Sequence, residues 1–189
     1  ALAATIGYGY SGGKNINQAL DTSDYFGWAV SLDGNRLAVG APYGDGSGNS
    51  LSGSGDVYLY TFTDSAFSGG ALAANIGHGY SGGKNINQTL YANDYFGWST
   101  SLDGNRLAVG AYRGDGTNSS GNEGEVYLYS FTDSSFGGAA LEAMIGEGYT
   151  GGKNINQTLE YPDRFGTALS LDGNRLAVGT RYDDGYNNS

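Results

Sequence analysis

Residues 26–41 read FGWAVSLDGNRLAVGA, and this stretch decides the fold. Its first half alternates. Phe26, Trp28, Val30 and Leu32 fall on one side of an extended chain, with small residues on the other. Its second half is apolar and small on both sides, the pattern of a strand buried on both faces. Leu32-Asp33-Gly34-Asn35 joins the halves, and Asp-Gly between two such runs predicts a type I′ hairpin with positive φ at both central residues. Downstream, DVYLYTF at 56–62 alternates Val/Leu/Thr against Tyr/Tyr/Phe. ALAATIG at 1–7 predicts a weaker strand, and no segment sustains the 3.6-residue period of a helix.

The same scheme recurs. SLDGNRLAVG begins at Ser31, Ser101 and Ser170, and the glycines at Gly27, Gly97 and Gly166 are 70 and 69 residues apart. ALAATIGYGYSGGKNINQ at 1–18 returns as ALAANIGHGYSGGKNINQ at 71–88 and ALEAMIGEGYTGGKNINQ at 140–157. The chain therefore reads as one repeat domain, 1–189, of about 2.7 units: 1–70, 71–139 and a partial 140–189. Each unit predicts four short antiparallel strands. Tandem four-stranded units imply an all-β stack of propeller blades or a solenoid. On this reading the strand order is one leading strand, two full units and two trailing strands.

Composition narrows the function. Glycine supplies 35 of 189 residues, without the every-third-residue spacing and abundant proline of collagen. There is no cysteine, so disulfide frameworks and thiolate metal sites are excluded. A formal net charge of −10 and the lack of a basic patch argue against nucleic acid as partner. No apolar run has the length of a membrane-spanning helix.

Two loops per unit carry the candidate site residues. The first, GYSGGKNINQ and its copies, places an aromatic ring beside amide donors, the combination used in sugar recognition. Its residues are Tyr10, Lys14, Asn15, Asn17 and Gln18, then Tyr80, Lys84, Asn85, Asn87 and Gln88, then Tyr149, Lys153, Asn154, Asn156 and Gln157. The bland reading is that Asn and Gln brace the loop's own backbone. A phosphate-binding P-loop would need glycine at Tyr8 and Ser or Thr at Asn15, so it is excluded. The second loop offers Asp45, Asp115 and Asp184 as oxygen ligands for calcium, against the plainer reading of a solvated Gly/Ser/Asn loop. Asp24, Asp94 and Asp163 stand before the Phe-Gly pair and read as backbone caps. His78 is the only histidine and has no repeated partner, and no nucleophile–base pair is visible. The chain is not expected to be an enzyme. Sequons occur at Asn87, Asn118, Asn156 and Asn187.

DYFGWAVSLDGNRLAVGAPYGDG followed by GSGDVYLYTF resembles an FG-GAP repeat. Phe26-Gly27 matches the FG and Gly40-Ala41-Pro42 the GAP. The second unit keeps Phe96-Gly97 and reads Gly110-Ala111-Tyr112. The third keeps Phe165-Gly166 and loses the GAP at Gly179-Thr180-Arg181. The resemblance implies blades of the integrin-α type, usually about seven to a ring, in a secreted or surface-exposed protein. Calcium-binding blades of that family carry an acidic D-x-D-x-D-G loop between the first two strands. Here that place holds Leu-Asp-Gly-Asn, so the family's calcium site is not carried over, and no cofactor is expected there. A stack of this kind must be completed. The expected partners are further units of a longer array, other copies of the chain, or a surface glycan or protein. The resulting expectation is a structural or adhesive module, including an extracellular filament subunit. The alternative is a carbohydrate- or calcium-dependent binding module using the two loops.

Overall fold

A computed structural model of the chain describes residues 2–117 and 121–185, and every regular element in them is a β-strand. The sequons at Asn118 and Asn187 lie outside the described residues. Strands β1 (Ile6–Gly7) and β2 (Ile16–Asn17) form a two-stranded parallel pair. Strands β3 (Ala29–Asp33), β4 (Arg36–Ala41), β5 (Asp56–Thr61) and β6 (Ala71–Gly77) follow as an antiparallel meander. Strand β7 (Ile86–Asn87) adds to it in parallel, through Ile76 to Ile86 and Gly77 to Asn87. Strands β8 (Phe96–Asp103), β9 (Arg106–Ala111), β10 (Glu125–Ser130), β11 (Ala140–Gly146) and β12 (Ile155–Asn156) repeat that sheet. Strands β13 (Phe165–Asp172) and β14 (Arg175–Thr180) form a final hairpin.

The order is the expected one, with an added fifth strand in each full sheet. Each sheet also crosses a sequence-repeat boundary, since β6 opens the second repeat and β11 the third. The sheets stack face to face and, among the described residues, do not close into a ring.

The stacking follows from alternation along β5 and β10. Val57 and Leu59 join Ala38 and Ile76 on the back of the first sheet. Phe96, Leu107, Val109, Tyr127 and Tyr129, on the front of the second, complete the same buried cluster. Each such apolar side chain contributes about 1.5–3 kcal/mol when fully buried. Tyr127 and Tyr129 thus serve packing between sheets. Tyr58 and Tyr60 face the other way, toward Phe26 and the β1–β2 segment.

Two expectations are corrected. The hairpin loop is Gly34-Asn35, because Asp33 pairs with Arg36, and only Gly34 takes positive φ, at 57°. That is the signature of a glycine-first II′ turn rather than I′. The pairing is held by an Asp33–Arg36 ion pair of 2.6 Å. Phe26, Val30 and Leu32 share the expected face, lining one apolar cavity with Leu37 and Val39, but Trp28 leaves it and packs against Trp98. In the equivalent strand β8 a bulge lies between Phe96 and Ser99, which shifts the residues after it. In the first unit Trp28, Val30 and Leu32 are exposed.

Candidate functional site

The first loop is tied together by the amides that the sequence singled out. Asn15 Oδ1 accepts from Thr5 N–H at 2.9 Å and Asn17 Oδ1 from Gly9 N–H at 2.8 Å. Asn85 and Asn87 do the same for Asn75 and Gly79, and Asn154 and Asn156 for Met144 and Gly148. Gln18 and Gln88 reach the following sheet. Tyr60 Oη donates to Gln18 Oε1 at 2.6 Å, and Tyr129 Oη to Gln88 Oε1 at 2.7 Å. Gln157 is exposed and donates to Thr158 O at 3.4 Å. Lys14 donates to Ala66 O, Lys84 to Ser135 O, and Lys153 pairs with Glu142. Tyr10 stays half exposed, whereas Tyr149 donates to Glu125 Oε2. These bonds fasten the loop to itself and to the unit that follows.

The aspartates of the second loop brace backbone. Asp45 Oδ1 accepts from Gly53 N–H at 2.7 Å, and Asp115 Oδ1 from Asn122 N–H at 2.8 Å. Asp184 lines an open cleft of about 350 Å³ with Asp163 and Asp183. Asp45 also lines a cavity of about 320 Å³ with Asp24, Asp56, Tyr58 and Tyr80. Burial pushes the Asp56 carboxyl up to about 7, with Asp24 and Asp45 adding repulsion. Asp24, Asp94 and Asp163 cap backbone N–H groups at Asp21, Tyr91 and Glu160, at 2.9, 2.6 and 2.8 Å. Burial lifts Asp94 to about 7 as well, and raises Glu125. Among the described residues, no three carboxylate or imidazole side chains are grouped to hold a metal ion.

The seams between sheets concentrate the unit's constant residues. A Cβ on Gly40 would stand 2.0 Å from Gly97 O, and one on Gly110 2.1 Å from Gly166 O. The second Gly of each pair belongs to the Phe-Gly of the next unit, so two backbones meet where neither can carry a side chain. Above this contact, Ser31 Oγ accepts from Leu102 N–H at 2.9 Å and Asp33 Oδ2 from Gly104 N–H at 3.0 Å. Arg36 Nη1 donates to Asn105 Oδ1 at 3.4 Å. The next seam repeats the set: Ser101 takes Leu171 N–H at 2.9 Å and Asp103 takes Gly173 N–H at 2.6 Å. Arg106 donates to Gly173 O and Asn174 Oδ1, both at 2.7 Å.

Sequence reasoning assigned these aspartates to their own turns and left Ser31 and Ser101 without a role. Their recurrence at fixed spacing was the available signal. It also missed an aromatic ladder along the rim. Trp28 and Trp98 centroids lie 4.5 Å apart, Trp98 and Tyr112 4.1 Å, and Arg164 sits 5.1 Å over Tyr112.

Residues 20–60 and 91–129 match the family model described as FG-GAP repeat. No curated protein matches the chain. The two matched stretches span the approach to each full sheet and its first three strands, including Gly40, Gly97 and Gly110 of the seams. The similarity to FG-GAP repeats thus covers residues 20–60 and 91–129, one stretch in each full sheet.

Proposed function

We propose that the chain is a non-enzymatic structural and adhesive repeat module of a secreted or cell-surface protein. It works as a segment of a stacked array or as a protomer of an extracellular assembly. The observation that carries this reading is the seam: two successive interfaces made by the same Ser, Asp, Arg and Gly positions. A surface that repeats itself unit after unit is suited to extending a stack. FG-GAP repeats are typical of extracellular and surface-associated proteins, and the acidic charge of −10 suits a soluble, exposed surface.

The test is where the protein sits. Antibody labelling of intact source cells, compared with permeabilised ones, is expected to mark the cell surface or shed material. Label that appears only after permeabilisation overturns the reading.

A further inference from the structure

In each full sheet three carboxylates come to one corner: the one before Phe-Gly, the one in the second loop, and the one that opens the third long strand. In the second full sheet these are Asp94, Asp115 and Glu125, and the protein closes the corner itself. Glu125 is 3% exposed and accepts from the hydroxyls of Tyr127 and Tyr149. The first full sheet has Asp56 at that position, one methylene shorter. Asp56 is 2% exposed, and its Oδ1 has no hydrogen-bond partner. A cavity of about 320 Å³ remains there, lined by Asp56 with Asp21, Asp24, Asp45, Tyr58 and Tyr80. Every lining residue belongs to this one sheet and the loops that frame it, between Ala19 and Tyr80.

The cavity is acidic and lacks a counter-charge. Among the described residues, none of its four aspartates is in an ion pair. Burial, and after it repulsion from Asp24, pushes the Asp56 carboxyl toward its neutral form. A cation in the cavity would offset that repulsion. A metal ion fits poorly. Calcium takes about six to eight oxygens at about 2.3–2.6 Å, and no three carboxylates among the described residues are grouped to hold one. The space suits something larger, since small-molecule sites begin at about 300 Å³. Tyrosine faces attract ammonium and guanidinium groups. We infer that this cavity takes an organic cation, an alkylammonium or guanidinium group, with Asp24, Asp45 and Asp56 as counter-charges and Tyr58 and Tyr80 as walls. The cation comes from a partner's lysine or arginine side chain, or from a free amine.

Isothermal titration calorimetry of the full chain at fixed ionic strength tests this. The probes are N-acetyl-lysine methylamide, N-acetyl-arginine methylamide, cadaverine and calcium chloride. Saturable binding of at least one organic cation is expected. Binding by a capped amino acid identifies a partner's side chain as the source, and binding by cadaverine alone a free amine. Asp56→Asn keeps the shape and removes the charge, so it should weaken binding at least about tenfold. Asp45→Asn keeps an acceptor for Gly53 N–H and should also weaken it. Asp56→Glu keeps the charge but fills the cavity as Glu125 does in the second sheet, so binding should be lost. Asp172→Asn removes the same charge from the exposed β13–β14 hairpin and should leave binding unchanged. Circular dichroism checks that each variant folds. No saturable binding by any organic cation, or binding by calcium alone, overturns the inference. So does binding that the folded Asp45 and Asp56 variants leave unchanged.

Discussion

Asp94 is 2% exposed and its Oδ2 accepts from Tyr91 N–H at 2.6 Å, yet burial raises its carboxyl to about 7 from an ordinary 3.8. Asp56, equally enclosed, is raised to about 7 by burial, and its Oδ1 has no hydrogen-bond partner. For both groups the fold favours the protonated form. Their stabilisation is fully present below the unfolded value and is lost as pH rises through about 7. Exposed Asp64 and Asp133, held low by turn hydrogen bonds, act in the opposite sense at lower pH. The thermal midpoint is therefore expected to fall between about pH 5 and pH 8. Asp94→Asn with Asp56→Asn keeps an acceptor for Tyr91 N–H, so it should flatten that profile and raise the midpoint at the alkaline end. An unchanged profile in the double variant contradicts the assignment. Gln88 gives a second case. Gln88→Leu leaves the buried Tyr129 hydroxyl without its acceptor, and denaturant unfolding should show a loss of about 1–3 kcal/mol. Gln157→Leu, exposed and without such a tyrosine, should cost far less.

At the scale of strands, the seam makes glycine positions unequal. Gly110→Ala puts a Cβ 2.1 Å from Gly166 O, so β13 must move away from β9, at roughly 1–3 kcal/mol in thermal or denaturant melting. Gly179→Ala meets only Ala168, at 3.1 Å, and is expected to melt close to the unmodified chain. Equal losses would mean that the close backbone approach does not govern stability. This contrast also marks what could be read from sequence. The four main strands of each unit, their order and the hairpins were legible, because alternation and Asp-Gly punctuation are local signals, whereas the short parallel strands β7 and β12 carry no such signal. The Gly27 and Gly40 types were visible as constants, but their meaning was not: Gly40 is explained by Gly97, a partner 57 positions away in the next unit. The II′ turn was misread because Asp33 pairs with Arg36 as the last strand residue, which makes Gly34-Asn35 and not Asp33-Gly34 the loop. In the first loop, residue types suggested a site. Which oxygen each amide holds became clear only once Tyr60 and Tyr129 were placed beside Gln18 and Gln88.

At the scale of the molecule, charge and the seams oppose one another. A chain of net charge −10 repels itself, while the seams hold its sheets together by apolar burial and by hydrogen bonds to backbone. The repulsion acts over distances that salt shortens, to a Debye length of about 8 Å at physiological ionic strength. The burial of Phe96, Leu107 and their neighbours is not weakened by such salt. The exposed Asp172–Arg175 pair contributes little, so screening it costs little. The thermal midpoint at neutral pH is therefore expected to rise from low to physiological ionic strength. If added salt instead lowers the midpoint, ion pairs outweigh the repulsion. The seams as drawn, with Asp33 and Ser31 accepting from backbone N–H groups over an apolar cluster, would then not be what holds the sheets together.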